Sequence, residues 1–228
     1  MIGFRSTLPA ALAFCAVYPG GAKAESLEQT LARMDKSADG FKSMKANVRH
    51  VSHLNVINED TVSIGTTSLK RTKRDVRILV HFTSPDDKSV GVSGTKVEMY
   101  LPKLQTVQEY NVSSRDMVEK YLALGFGASG SDLKSDYDIK AMGDEIVGGE
   151  KAARLELTPK TKQVRQQFPT IELWISETKG YPVQEKFHQS GGDYMLITYS
   201  DIVINPSLPD SEFKLTVPKG VKRVFPQK

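Results

Sequence analysis

The sequence predicts a mostly β fold of the α+β class, in which a long antiparallel sheet curls into a barrel or partial barrel and two helices pack on it. From Lys45 onward, most segments are rich in β-branched and aromatic residues, which favour strands. Linkers of only a few residues join these segments, and such linkers are too short for parallel crossovers. Two other stretches place apolar residues at steps of three and four, which is typical of amphipathic helices.

The first residues have the pattern of a secretory signal peptide. Arg5 precedes an apolar run from Leu8 to Val17, and the small-x-small triplet 22–24 predicts cleavage after Ala24. Residues 1–24 are therefore predicted to be the signal peptide and residues 25–228 a single domain in the periplasm. The apolar run is too short to span a bilayer, which takes roughly 20 residues.

Cys15 is the only cysteine and allows two interpretations. The residues before it loosely resemble the lipobox of bacterial lipoproteins, although Phe14 is bulky where that motif has a small residue. Alternatively, Cys15 is an apolar residue of the discarded segment. In that case the mature chain has no cysteine, and disulfides and cysteine catalysis are excluded.

Charge argues against nucleic acid as a partner. The whole chain carries 31 Lys and Arg against 27 Asp and Glu. Loss of Arg5 and Lys23 leaves 29 minus 27, a net charge of +2. A nearly neutral domain lacks the concentrated basic face that nucleic-acid binding usually needs.

The first helix is predicted to begin after Ser26. Apolar residues then recur at helical spacing as far as Phe41, and Gly40 is placed to end the helix. A second helix is predicted over 114–124, with Ser114 as its cap. Twelve strand-like segments lie on either side of this second helix, and we expect them to form about eleven strands. The segments are 47–58, 61–71, 75–85, 88–94, 95–102, 105–112, 137–147, 153–159, 170–177, 181–189, 193–205 and 212–218.

The stretch GFGASG at 125–130 has the spacing of a phosphate-binding G-x-G-x-x-G loop. A phosphate site needs a strand before the loop and a helix after it. Here a helix is predicted before it and a strand after it, which argues against a nucleotide site. We interpret Gly125 as the C-cap of the second helix. Together, Gly125, Gly127 and Gly130 are predicted to form a hinge that lets this helix and Phe126 lift.

The sequence contains no recognisable catalytic or metal-binding set, and we expect neither an enzyme nor a cofactor. His50 and His53 are three apart on a predicted strand and should point to opposite faces. Ser93 lies in an apparent hairpin rather than in a nucleophile elbow. The basic run 70–74 is either a solvated hairpin or a place where one cation points inward.

Several segments, none strong alone, together resemble the LolA-type periplasmic lipoprotein carriers over nearly the whole mature chain. Their order along the sequence makes the resemblance. The segments are Leu69-Lys70-Arg71, GTKVEMYLP at 94–102, LALG at 122–125 before Tyr137-Asp138-Ile139, LELTPK at 155–160 before IELWI at 171–175, Gly192-Asp193, Asn205, and FKLTVPKG at 213–220.

The resemblance implies an unclosed, strongly curved sheet of about eleven strands with helices as a lid over its open side. It implies a non-enzymatic monomer that holds the acyl chains of lipoproteins, or a related lipid, between sheet and lid and takes part in their sorting to the outer membrane. An inner-membrane donor complex and an outer-membrane acceptor are the implied partners. Each buried CH₂ is worth about 0.8 kcal/mol, so acyl chains need a shielding cavity to cross water.

Residue roles follow from the same resemblance. Arg71 matches a family arginine that bonds the lid in the empty state, although Thr72 stands where the family often has proline. Arginine suits this role because its planar fork donates several bonds and stays charged. The residues expected either to line the cavity or to belong to the core are Leu31, Met34, Met99, Leu122, Leu124, Phe126 and Trp174.

Two other functions remain open from the sequence. One is a sensor or regulatory domain of the same fold that binds a lipid or lipoprotein signal and contacts a membrane-bound partner. The other is a periplasmic hydrolase, which would need a Ser or carboxylate within reach of a histidine in a cleft.

Overall fold

The structure is a computed structural model that describes residues 26–72, 75–112 and 123–226. One twelve-stranded sheet curves through this part of the chain without closing into a barrel, which confirms the predicted fold class. The strands are β1 (Ser43–Leu54), β2 (Glu59–Arg71), β3 (Val76–Ser84), β4 (Lys88–Ser93), β5 (Lys96–Leu101), β6 (Thr106–Asn111), β7 (Tyr137–Val147), β8 (Glu150–Pro159), β9 (Thr170–Ser176), β10 (Pro182–His188), β11 (Tyr194–Ile204) and β12 (Lys222–Val224).

Neighbouring strands are mostly neighbours in sequence. The order across the sheet is β12-β6-β5-β4-β3-β2-β1-β11-β10-β9-β8-β7. Its centre is the long pair β1 and β2, whose register runs from Ser43 opposite Lys70 to Leu54 opposite Glu59. Strand β11 returns to the free side of β1, so the two halves of the chain form one continuous sheet.

Three α-helices are described, and each begins or ends for a local reason. Helix α1 (Leu27–Ala38) starts at a capping box in which the Ser26 hydroxyl accepts a bond from the backbone N–H of Gln29. Helix α2 (Gly130–Asp136) has a similar capping box formed by Ser129 and Asp132. Helix α3 (Lys162–Gln167) was not predicted from the sequence. It has six residues and one buried apolar side chain, Val164, which is too little to show a helical period.

The prediction of a strand over 212–218 is wrong. The segment begins within a 3₁₀ turn, Asp210–Phe213, and residues 214–218 pair with no strand among the described residues. Leu215 instead packs against Gly91, where a Cβ atom would lie 3.3 Å from its side chain. Strand β12 begins only at Lys222 and pairs in parallel with β6, an association that periodicity could not reveal.

Most buried apolar side chains form two clusters on the concave face of the sheet. The packed cluster joins the helices to β7–β10 and contains Leu31, Met34, Leu124, Leu133, Tyr137, Leu155, Leu157, Val164, Phe168, Ile171, Leu173, Ile175 and Phe187. The strand cluster, as far as the described residues show, draws no buried side chain from a helix and contains Met44, Ala46, Leu69, Val76, Ile78, Val92, Ala123, Phe126 and Tyr181.

Some predictions fall outside the described residues. They are the signal peptide over 1–24 with Cys15, most of the second helix over 114–124, and the cavity residue Leu122. Within 26–72, 75–112 and 123–226, no helix is long and apolar enough to cross a membrane.

Candidate functional site: an apolar cavity on the concave face

An apolar cavity of about 370 Å³ lies on the concave face of the sheet, between the two clusters. This volume falls in the usual range for small-molecule sites. Strands β1–β5 and β10–β11 supply most of its walls because alternate side chains of each strand point to the same face. Its lining is Val48, His50, Thr67, Ile78, Val80, Phe82, Val90, Val92, Val97, Val112, Gln167, Phe168, Glu185, Phe187, Met195, Ile197 and Tyr199.

Short side chains create this space. The walls from β3 to β5 are mainly valine, with register pairs such as Val80 opposite Val90 and Val92 opposite Val97. At the other side, Phe168 and Phe187 pack edge to face with ring centroids 5.4 Å apart and separate the cavity from the packed cluster.

One carboxyl group lies inside this apolar wall. Glu185 is only 3% exposed, between Leu173 on β9 and Ile197 on β11. The Tyr199 hydroxyl donates a hydrogen bond to its Oε2 over 3.3 Å. Burial raises the pKa of the Glu185 carboxyl to about 8, because a charge is poorly solvated there, and the Tyr199 bond offsets only part of this.

His50 lines the same cavity from β1. Its ring centroid lies 6.0 Å from that of Phe82, and the Lys88 ammonium lies over the Phe82 ring at 4.8 Å. Burial lowers the pKa of His50, and the charge of Lys88 lowers it further. The neutral imidazole is therefore favoured, so this side chain adds polarity to the wall without adding charge. His53 stacks on Tyr194 and bonds Asp60 instead.

The segment 123–127 packs against one side of the cavity. Phe126 is fully buried, and its ring meets that of the lining residue Tyr199 edge-on, with centroids 5.2 Å apart. The Arg71 guanidinium, from the end of β2, donates a hydrogen bond from Nη2 to the Phe126 carbonyl over 3.2 Å. Arg71 therefore points inward and fixes the backbone next to the aromatic residue that abuts the cavity wall.

The three glycines of GFGASG occupy tight positions. Gly125 and Gly127 both have positive φ, at 75° and 72°. A Cβ atom on Gly127 would lie 2.5 Å from the Phe41 ring, and one on Gly130 would lie 2.6 Å from the Leu31 carbonyl oxygen. Gly130 is thus the point of close approach between α1 and α2 rather than part of a loose connection, and this corrects the hinge interpretation at that residue.

A helix, not a strand, follows GFGASG, which corrects the sequence-based argument against a phosphate site. The structure supplies a different argument. The Asp132 carboxylate accepts a hydrogen bond from the backbone N–H of Ser129, and Asp35 accepts one from that of Gly130. Two carboxylates therefore occupy the N-terminus of α2, where a phosphate would have to bind.

The predicted cavity residues lie beside the cavity rather than along it. Leu31, Met34 and Leu124 are buried in the packed cluster, and Phe126 belongs to the strand cluster. Met99 lines a separate, more polar groove with Thr61 and Lys103.

Trp174 is on the wrong face of the sheet for the predicted role. Its neighbour Leu173 faces the packed cluster, so Trp174 points to the opposite, convex face. Its indole Nε1 donates to Glu145 over 2.7 Å, and the Arg154 guanidinium lies over its ring.

The strand alternation could have found the aliphatic lining, because the predicted strands place Ile78, Val80, Val90, Val92 and Val97 at every second position. Glu185 was missed because an acidic residue in an amphipathic strand is read as exposed. Alternation puts Glu185 on the same face as Phe187, which was the available signal. The pairing of β10 with β9 and β11 then places this face on the inside.

The sequence matches one described protein family over more than half of its length. A protein-family model described as "-like: Uncharacterized protein" matches residues 74–203, more than half of the chain. The chain belongs to this family. The match covers β3 to β10 and all but the last residue of β11, and thus most of the cavity walls.

Curated proteins named outer-membrane lipoprotein carrier protein are similar to this chain over most of its length. An outer-membrane lipoprotein carrier protein of Ralstonia nicotianae is 26% identical over 95% of this chain and 94% of its own length. One from Pseudomonas putida is 24% identical over 88% of this chain and 90% of its own. These relatives confirm the resemblance to lipoprotein carriers that the sequence suggested.

A solved structure of low sequence identity has a similar fold, and this similarity concerns the fold only. An uncharacterized conserved protein from Thermus thermophilus aligns with a TM-score of 0.54 at 15% identity, covering 88% of this chain and 99% of that one.

Proposed function

We propose that this protein is a periplasmic carrier that binds the acyl chains of lipoproteins, or a related lipid, in the concave cavity and takes part in their transfer to the outer membrane. The observation that carries the proposal is the apolar cavity itself, which opens onto the concave side of an incomplete barrel. Its lining is dominated by valine, isoleucine and aromatic side chains, and burial of an alkyl chain against them is favourable by about 0.8 kcal/mol per CH₂.

The named relatives support this proposal because the chain matches them nearly end to end. The signal-peptide pattern over 1–24 supports export to the periplasm. The role is binding and release rather than chemistry, so we propose a non-enzymatic monomer that exchanges its cargo between a membrane donor and a membrane acceptor.

We further propose that Arg71 controls access to the cavity. Its hydrogen bond to the Phe126 carbonyl fixes segment 123–127 against Tyr199. Its positive charge also contributes to lowering the pKa of Asp132 on α2, after the larger effect of the Ser129 hydrogen bonds. Release of this arginine would loosen the segment, in which Gly125 and Gly127 can change their backbone conformation more freely than other residues.

Native mass spectrometry tests the carrier proposal. The protein is expressed with residues 1–24 in a bacterium with a periplasm, recovered from the periplasmic fraction and analysed without detergent. We expect bound lipid or lipoprotein on the wild-type protein. A protein that is always recovered empty would contradict the proposal, and so would recovery in the cytoplasm.

Two matched variants locate the ligand. Val80→Trp fills the cavity and should remove the bound lipid. Leu79→Trp adds the same ring on the opposite face of β3, beside Leu215, and should leave the lipid in place. Equal lipid on both variants would place the ligand elsewhere. Co-purification of an inner-membrane regulator with no lipoprotein would favour the sensor function instead.

A further inference from the structure

Burial of the Glu185 carboxyl is unfavourable for folding. Its Oε1 is buried and has no hydrogen-bond partner among the residues that the structure describes. Leaving a buried polar atom without a hydrogen-bond partner is destabilising, whereas an apolar residue of similar shape can be neutral or stabilising. Leu173 and Ile197, directly opposite Glu185 on the neighbouring strands, show that an aliphatic side chain suits this environment.

The unsatisfied atom belongs to a side chain that lines the cavity. Tyr199 lines the same part of it, and its hydroxyl holds the other carboxyl oxygen, which fixes the orientation of the carboxyl group. A fixed polar group within an apolar pocket is the usual device by which a binding site orients a ligand and discriminates among ligands.

We propose that Glu185 and Tyr199 form a polar binding point inside the cavity for an apolar ligand that carries one uncharged hydrogen-bonding group, such as a hydroxyl, an ester or an amide. This inference rests on the carrier proposal and specifies its ligand. A plain hydrocarbon chain would leave Oε1 unsatisfied, whereas a ligand with a hydrogen-bonding group at this depth satisfies it.

The wall of the cavity favours an uncharged group. Among the described residues that line it there is no lysine or arginine, and the Lys88 ammonium that lies over the Phe82 ring is not itself part of the lining. Burial of an anionic head group beside the Glu185 carboxyl would therefore be unfavourable. The raised pKa keeps Glu185 protonated at neutral pH, so its carboxyl can donate a hydrogen bond to a carbonyl or accept one from a hydroxyl or amide.

Ligand competition tests the polar binding point. Delipidated wild-type protein and Glu185→Leu are loaded with the fluorescent probe N-phenyl-1-naphthylamine at pH 7, which is then displaced by dodecan-1-ol or n-dodecane. The two competitors differ only in a hydroxyl. We expect the preference of the wild type for dodecan-1-ol to fall up to about tenfold in Glu185→Leu, the equivalent of one buried hydrogen bond.

Two further variants separate hydrogen bonding from shape. Glu185→Gln keeps an amide in place of the carboxyl and should retain most of the preference. Tyr199→Phe removes the hydroxyl that orients the carboxyl and should lose part of it. These two variants conserve the volume of the site and decide the question even if Glu185→Leu does not fold.

The possible outcomes are distinct. If the wild type binds neither competitor, the carrier proposal itself is overturned. If it binds both and the preference is the same in all variants, only the polar binding point is overturned. If dodecylamine binds more tightly than dodecan-1-ol, Glu185 recognises a cation and the uncharged ligand is the wrong choice.

Discussion

The two halves of the sheet use their concave faces differently. Strands β7–β10 meet the helices in the packed cluster, where Met34, Leu157 and Ile171 have no exposed surface. Strands β1–β5 present valines and other small side chains to a cavity, and several of these, including Val80 and Val90, stay only partly buried. One curved sheet thus provides a solid core and a binding surface side by side.

The difference lies in side-chain length and in what covers the sheet. Leucine, phenylalanine and methionine fill the space beneath α1, α2 and α3, and this part can supply most of the stability. The cavity half is less tightly packed. Its lining atoms have no neighbours on the side of the cavity and therefore make fewer dispersion contacts. We therefore expect the same substitution to lower the free energy of unfolding by different amounts in the two halves.

The largest expected effect is a matched truncation in the two halves. Ile171→Ala removes a fully buried side chain from the packed cluster and should lower the free energy of unfolding by about 2–5 kcal/mol. Ile78→Ala removes the same atoms from β3, where the side chain faces the cavity, and should cost less. Urea denaturation measures both, and equal losses would show that the cavity half is packed as tightly as the other.

A second expected effect concerns Glu185, at the boundary between the halves. Its pKa is about 8 in the folded protein against a usual value near 4.5, so the folded state binds an extra proton between these values. The stability of the wild type relative to Glu185→Gln should therefore be greatest below about pH 4.5 and fall as the pH rises to about 8. The slope is at most about 1.4 kcal/mol per pH unit.

Thermal or urea unfolding of both proteins across pH 4–9 measures this difference. Tyr199 on β11 is the titratable group in contact with Glu185, and His50 lines the same cavity from β1. Comparison with Glu185→Gln cancels groups that titrate alike in both proteins. Parallel curves for the two proteins would contradict the raised pKa.

Substitution of Arg71 is expected to have the smallest effect on stability. Its effect on access to the cavity should be larger than its effect on stability. Arg71→Leu removes the bond to the Phe126 carbonyl, which is worth about 1 kcal/mol. We expect about fivefold faster release of a bound fluorescent probe in stopped flow, with little change in unfolding of the packed half. Lys70→Leu, at the preceding position with its amine bonded to Leu208 and Asp210, is the control. Loss of stability with unchanged release would assign Arg71 a purely structural role.

Much of the fold was predictable from sequence because strand and helix periods are local. The helix after Ser26, the strands from Lys45 to Asn111 and the orientation of His50 relative to His53 follow from neighbouring residues and alternation. The short helix α3 and the path of 212–218 were not predictable, because six residues carry too little period and Leu215 is held by Gly91, over a hundred residues away in sequence.

The sequence alone determined a β-rich chain with a signal-peptide pattern and no recognisable catalytic set, since these depend on composition and local patterns. Only the tertiary structure decided which side chains face the cavity. In the structure, Trp174 lies on the convex face, Leu31 and Met34 lie in the packed cluster, and Glu185 lies next to Tyr199. The physical reason is that a strand has two faces, and the pairing of distant strands determines which of them is covered by helices and which is left to bind a ligand.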